Sequence, residues 1–253
     1  MAKKKARFAA LCLMSILAGG IAIGVSVRYA AAAPPAASAD ALAAQGKLIF
    51  DRTSVLASKY VGNKLACSDC HIASGTTDYA SSMKDVAGLF PSFSRRAGHV
   101  ITLKDRINEC FVRSENGRPL PADSPQMLAL VAYLESLAKG QKPGQPYKKR
   151  GLVKLPDLKG DPGRGKLVYS QMGCVMCHGA NGAGKPPALP PLWGPDSFND
   201  GAGMSKPAKM AAWVYHNMPP SSPGSLTPQQ AYNVSTYIDG MPHPKFDPVY
   251  KSF

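Results

Sequence analysis

The sequence predicts a mainly α-helical chain built as two tandem, similarly organised domains. Three observations predict it. The pattern Cys-x-x-Cys-His occurs twice, as Cys67-Ser-Asp-Cys70-His71 and as Cys174-Val-Met-Cys177-His178. A matching segment precedes each copy, Gly46-Lys-Leu-Ile-Phe50 and Gly165-Lys-Leu-Val-Tyr169. After each copy come a Gly/Pro-rich loop and an apolar-periodic segment opening on Ser124-Pro-Gln or Thr227-Pro-Gln. A hydroxyl N-cap followed by Pro at the first helical position is a helix start. Ala132-Tyr-Leu134 and Thr236-Tyr-Ile238 stand at equivalent depth in these closing helices, with spacing suited to one buried face. The repeat is imperfect: Gly46 to Cys67 is 21 positions and Gly165 to Cys174 is nine, so the first copy carries an insertion before its motif.

The motif has a chemistry. Two thiols separated by two residues reach both vinyl groups of a porphyrin as thioethers, and the adjacent histidine then lies beneath the iron. A zinc knuckle is the competing reading of Cys-x-x-Cys, and two complete copies behind an export-type N-terminus argue against it. The expectation is two tandem cytochrome c domains, each with one covalently attached haem c. Cys67, Cys70 and His71 hold the first, and Cys174, Cys177 and His178 the second. High glycine (24) and proline (23) suit loop-rich folds packed around a cofactor.

Residues 1–33 read as a signal peptide. Lys3, Lys4, Lys5 and Arg7 form a basic start, Phe8 to Val27 is apolar, and Ala31-Ala32-Ala33 supplies a cleavage site. The apolar run of 20 residues is also long enough to span a bilayer, so an uncleaved membrane anchor is the alternative. Cys12 sits too early for a lipoprotein site. Haem c is attached outside the bacterial cytoplasm, so the expected location is the periplasm, free or tethered. The expected boundaries are a linker over 34–45, a first domain over 46–142, a second linker over 143–160 and a second domain over 161–253. Cleavage after residue 33 would remove five basic and no acidic residues, leaving 25 against 16, a formal +9. Such a surface steers anionic substrates or acidic redox partners. No nucleic-acid motif accompanies the charge, and none of that class of partner is expected. Lys148-Lys149-Arg150, in the Gly/Pro/Lys-rich segment between the halves, reads as a solvated surface.

Each histidine-ligated iron needs a sixth ligand or an open site. In the second half both Asn217-Met218-Pro219 and Gly240-Met241-Pro242 resemble the Met-Pro loops of small cytochromes, with Met204, Met210, His216 and His243 as further candidates. Met218 lies 40 residues after His178, before the closing helix, and is preferred over Met241. In the first half Met83 is only 12 positions after His71, and Met127 falls inside the closing helix, where it packs. Cys110 stands out instead, because haem attachment uses four cysteines and Cys12 is in the leader. The bland account is a small buried hydrophobe. The favoured one is a thiolate ligand to the first iron, stabilised by Arg96, Arg106 and Arg113, with His99 as the rival ligand.

The segments Phe90-Pro-Ser-Phe-Ser-Arg-Arg96 and Arg106-Ile-Asn-Glu-Cys110-Phe-Val-Arg113-Ser-Glu-Asn-Gly-Arg-Pro-Leu120 closely resemble the dihaem thiosulfate dehydrogenases, the TsdA family. Pro190-Pro-Leu-Trp-Gly-Pro-Asp-Ser-Phe-Asn199 and Gly201-Ala-Gly-Met204 are similar to the second domain of that family. The resemblance covers most of residues 46–245 and is shared in part with SoxA cytochromes. It implies that the haem bearing His71 and Cys110 is the active site and that the haem bearing His178 and Met218 passes electrons outward, to an acceptor such as another cytochrome c. Some members have a Lys beside the distal Met, where this chain has Asn217. The implied reaction joins two thiosulfate anions into tetrathionate with release of two electrons, and its reverse is open. Arg96, Arg106 and Arg113 would supply countercharge, with surface or propionate pairing as the other reading of Arg113 and Arg118; Ser114 would add a hydroxyl donor, and Cys110 would leave the iron to form an S-sulfane adduct. Two other readings remain: a plain dihaem electron-transfer cytochrome c, and a SoxA-like subunit of a thiosulfate-oxidising complex.

Overall fold

Two helix crossings built on glycine carry the architecture. The computed structural model describes residues 38–139 and 147–253. The predicted leader and the first residues of both predicted linkers lie outside the described residues. Helix α1 (Ala39–Asp51) opens on Ser38, whose hydroxyl accepts the Ala41 N–H at 3.2 Å, and it buries Gly46, Ile49 and Phe50. After α2 (Thr53–Leu56), the first motif forms α3 (Cys67–Cys70) and runs into α4 (Ile72–Gly75). A short antiparallel hairpin follows, β1 (Ser92–Ser94) on β2 (His99–Ile101), with Phe93 opposite Val100. Helix α5 (Leu103–Arg113) carries Cys110, and α6 (Pro125–Ser136) closes the first half. The second half runs α7 (Pro162–Gln171), α8 (Cys174–His178), α9 (Pro207–Asn217) and α10 (Pro228–Asp239).

Helix α1 crosses α6, and α7 crosses α10. A Cβ on Gly46 would run into the carbonyl oxygen of Ala129 and stand 2.7 Å from Tyr133 Cβ. Gly165 is placed the same way, against the carbonyl of Asn233 and 2.7 Å from Tyr237 Cβ. The glycines of the sequence repeat are therefore points of backbone contact between first and closing helix. Both closing helices start as their sequences predict: Ser124 accepts the Met127 N–H at 3.2 Å, and Thr227 and Gln230 form a reciprocal capping box. The hairpin was not foreseen, because three-residue strands are too short to show a period of two.

The insertion in the first half anchors it to the second. Asn63 Nδ2 donates to Ser114 O (2.8 Å) and to Ser197 O (3.1 Å), and Leu65 is buried in the second core beside Val168, Tyr169 and Trp193. Carbonyls at the end of α5, left without helical donors, are met from the other half. Asn199 Nδ2 donates to Val112 O at 2.9 Å and the Asn199 N–H to Arg113 O at 3.2 Å. The two halves form one compact unit.

The loop after the first motif is unusual in its backbone. Ala73, Ser74, Tyr79, Ser81 and Asp85 all have positive φ, five of the six non-glycine cases among the described residues. Each left-handed L-residue costs about 1–2 kcal/mol, so such a loop persists only where its surroundings over-determine it. Here the segment following residue 146 supplies them. The Tyr147 hydroxyl donates to Asp78 Oδ1 at 2.5 Å, Lys149 pairs with Asp78 at 3.2 Å, and Arg150 pairs with Asp85 at 3.1 Å. The expectation that Lys148-Lys149-Arg150 is simply solvated is corrected for Arg150, half-buried against Asp85, while Lys149 stays exposed as it pairs with Asp78. Their aspartate partners lie more than sixty residues away in sequence and were invisible there. Beyond Arg150, Leu155 and Leu158 pack against a cluster of Ala211, Ala231 and Tyr232. No helix among the described residues is long and apolar enough to cross a membrane.

Candidate functional site

A mainly apolar cavity of about 760 Å³, open mouth included, lies in the first half. Cys67, Cys70 and His71 line it from the motif, and Arg106, Cys110 and Ser114 line it from α5 and its end. Phe50, Leu65 and Leu130 supply apolar wall.

The motif residues suit haem c. Burial pushes the thiols of Cys67 and Cys70 well above their usual range. An environment so unfavourable to thiolate does no harm to a thioether, which carries no charge. His71 Nδ1 stands 2.6 Å from the Ser81 carbonyl oxygen. A carbonyl only accepts, so the proton sits on Nδ1 and Nε2 is left as a lone-pair donor. Burial pushes the ring down to about 4, which keeps it neutral. The second half repeats the device: His178 Nδ1 lies 2.9 Å from Pro190 O, and burial lowers its pKa.

Cys110 and Arg106 sit one turn apart on α5, the i, i+4 spacing that brings side chains together. Arg106 Nη1 donates to Cys110 Sγ at 3.1 Å and pairs with Glu109 Oε2 at 3.3 Å. Cys110 is the first cause that raises the Arg106 pKa; burial opposes it and Glu109 adds to it. Ser114 follows α5 and lines the same cavity. His99, the rival ligand, is exposed on β2, bonds through Nδ1 to Ala97 O at 3.1 Å, and is not among the residues lining the cavity. Arg96 is exposed in the hairpin turn. Its charge lowers the Arg113 pKa, second to burial. Arg113 is coupled by charge to Cys110 but makes its direct contacts elsewhere. Its Nη2 donates to Phe253 O at 2.5 Å and its guanidinium stacks 4.1 Å over Phe246, so its contacts are with the C-terminal tail. Met127 is fully buried in the first core, as expected of a packing residue, while Met83 lines the cavity from the loop that begins at His71.

In the second half, Met218 caps the C-terminus of α9, its N–H bonded to Val214 O at 2.9 Å. Met241 packs against the second core together with Cys174. The end of α9 also reaches the first motif. Trp213 Nε1 donates to Cys70 O at 2.9 Å, Asn217 Nδ2 to Tyr79 O at 3.4 Å, and the Tyr79 and His216 rings meet edge-on at 5.0 Å. The segments that bear His71 and Met218 are thus in contact. Sequence reasoning missed Trp213 and Asn217 in this role, as it missed Glu115. Glu115 lines the cavity 2% exposed, its Oε2 lacks a hydrogen-bond partner among the described residues, and burial pushes it up to about 8. In the string Ser-Glu-Asn-Gly it reads as an ordinary polar turn residue.

Residues 56–142 match the SoxA/TsdA cytochrome c domain, and residues 163–242 match cytochrome c. The chain is 36% identical over 234 residues to the thiosulfate dehydrogenase of Allochromatium vinosum, covering 88% of this chain and 86% of that one. The chain belongs to the thiosulfate dehydrogenase family. The Stutzerimonas stutzeri thiosulfate dehydrogenase is 34% identical over 217 residues, covering 83% of this chain and 70% of the relative. Among solved structures, thiosulfate dehydrogenase (TsdBA) from Marichromatium purpuratum matches with TM-score 0.76 at 31% identity, over 82% of this chain. This chain covers 47% of that longer one. As in the thiosulfate dehydrogenase family generally, two cytochrome c domains in a mainly helical chain carry two covalently bound haem c.

Proposed function

We propose that the chain is a periplasmic dihaem enzyme that oxidises two thiosulfate anions to tetrathionate, with a first domain over 46–142 and a second over 161–253. The observation that carries this reading is the 3.1 Å contact of Arg106 Nη1 with Cys110 Sγ in the cavity lined by the first motif. The guanidinium places a charged hydrogen-bond donor on the sulfur. The same guanidinium attracts an anionic substrate.

Cys67 and Cys70 attach the first haem, with His71 and Cys110 as the iron ligands. Cys174 and Cys177 attach the second, with His178 and Met218 on the iron and Met241 as the alternative to Met218. When bound, the haems supply one-electron acceptors that carry two electrons outward to an external acceptor such as another cytochrome c. The chain's own residues do the rest. Cys110, which would hold the first iron at rest, bonds as thiolate to the outer sulfur of one thiosulfate, giving Cys–S–S–SO3⁻ and two electrons for the haems to accept. A second thiosulfate attacks the sulfane sulfur, forms tetrathionate and returns the thiolate. Two like-charged anions approach only against countercharge, which Arg106 supplies inside the cavity and Arg96 at the exposed hairpin turn. Ser114 adds a hydroxyl donor. The same steps run backward reduce tetrathionate. The leader over 1–33 provides export, by cleavage or as a membrane tether.

The test is thiosulfate-dependent reduction of an artificial acceptor by the wild type and by Cys110→Gly, with haem content measured in both. The expected result is loss of activity with both haems retained. A fully active variant, or an inactive wild type, overturns the mechanism.

A further inference from the structure

We propose that the segment Tyr147–Arg150 is a strap that positions the Ser81 carbonyl on His71 and so sets the reduction potential of the first haem.

The two motif histidines use the same device in different settings. His178 bonds to Pro190, which belongs to a loop stiffened by Pro186, Pro187, Pro190 and Pro191. Proline rings hold φ in place without outside help. His71 bonds to Ser81, in a stretch from Ile72 to Asp85 that has no proline at all. Instead Tyr79, Ser81 and Asp85 are held at φ of 56°, 53° and 63°, a conformation their own sequence disfavours. What holds this loop must come from outside it.

The strap meets the loop on both sides of Ser81. Before it, the Tyr147 hydroxyl and Lys149 Nζ bind Asp78, and the Tyr79 N–H donates to Lys149 O at 2.8 Å. After it, Lys84 Nζ reaches the Tyr147 hydroxyl at 3.2 Å and lies 4.8 Å over the Tyr147 ring centre. The Tyr147 N–H and Arg150 Nη1 both go to the Asp85 carboxylate. Asn217 Nδ2, from the end of α9, takes the remaining side at Tyr79 O. Ser81 is therefore clamped within a few residues on either side.

A well-aligned Nδ1–H···O bond raises the basicity of the other ring nitrogen. A more basic donor favours the oxidised, more positive iron and lowers its potential. Loosening the strap lets Ser81 drift, weakens the bond and raises the potential. This rests on the assignment of His71 to the first iron made above, and not on the identity of the substrate.

The experiment is a spectroelectrochemical titration of both haems in the purified holoprotein and in Tyr147→Phe, Arg150→Ala and the double variant. Among the described residues, neither Tyr147 nor Arg150 hydrogen-bonds to the motif or to Cys110, and neither lines the cavity. The expected result is an upward shift of the first haem's potential, largest in the double variant, with the second haem's potential unchanged. Lys64→Ala, which cuts an ion pair to Asp196 elsewhere between the halves, moves neither. Potentials that stay put in all strap variants, or that move together, overturn the proposal. Should the double variant lose haem, Tyr147→Phe decides alone, since it removes only a hydroxyl. His71→Met separates the two readings. An unaltered first-haem spectrum there sinks the ligand assignment, whereas an altered spectrum with unmoved strap potentials sinks the strap only.

Discussion

Replacing Arg106 by Met keeps an apolar stem on α5 and removes the guanidinium. Two interactions go with it, the 3.1 Å bond to Cys110 Sγ and the 3.3 Å ion pair with Glu109. A hydrogen bond to a charged group contributes about 1.5–3 kcal/mol. At 1.36 kcal/mol per decade of rate, that is roughly a ten- to hundredfold loss. The acceptor is sulfur, a weaker acceptor than oxygen, which brings the figure to the lower end. We therefore expect kcat/KM for thiosulfate to fall about tenfold, and Arg106→Lys, which retains charge without the planar fork, to recover part of it. The assay is the initial rate of artificial-acceptor reduction across a range of thiosulfate, on samples with matched haem content. Added salt should raise the wild-type KM more than that of Arg106→Met, since screening acts on a charge the variant lacks. A variant within twofold of wild type at every thiosulfate concentration would refute the role of this guanidinium.

Gly165→Ala forces a Cβ into the Asn233 carbonyl at the α7–α10 crossing. Overpacking of this kind costs about 1–3 kcal/mol, or several degrees of Tm; calorimetry of the holoprotein should show it, and an unchanged Tm would disprove the close crossing. Glu115 titrates near 8 in the folded chain against 4.5 when free, so between these values the native state binds more protons. Its stabilising share, present in full below the lower value, is lost as pH rises through the upper one, at no more than about 1.4 kcal/mol per pH unit. Urea unfolding across that window should show a shallower decline in Glu115→Gln than in wild type, and parallel curves would remove Glu115 from the account. Met218→Ala should lower the second haem's potential in redox titration while Met241→Leu leaves it in place; the opposite pattern would transfer the ligand role to Met241.

The parts legible in sequence were those where covalent chemistry or local backbone rules dictate spacing. The two Cys-x-x-Cys-His motifs, the odd Cys110, and the hydroxyl-Pro starts of the closing helices all fall in this class. Gly46 and Gly165 were legible as a repeat, though not as contact points, because contact needs the partner helix. Arg106 and Cys110 were legible as a charge and a thiol four positions apart, and the helix α5 that brings them one turn apart came from the structure. Arg113 lies only three residues beyond Cys110, and its contacts with Phe246 and Phe253, more than a hundred residues away, were not legible in sequence.

By itself, then, the sequence determined the cofactor chemistry, the mainly helical two-domain plan and Cys110 as the cysteine set apart from the motifs. Each depends on residues close together along the chain. Tertiary structure alone decided that the insertion before Cys67 is the bridge to the second half, that α9 docks on the first motif through Trp213, and that the Lys149-Arg150 run is a strap on the His71 loop. Those contacts are hydrogen bonds and ion pairs between segments far apart in the chain. Their donors and acceptors are common polar residues, and only folding chooses which ones meet.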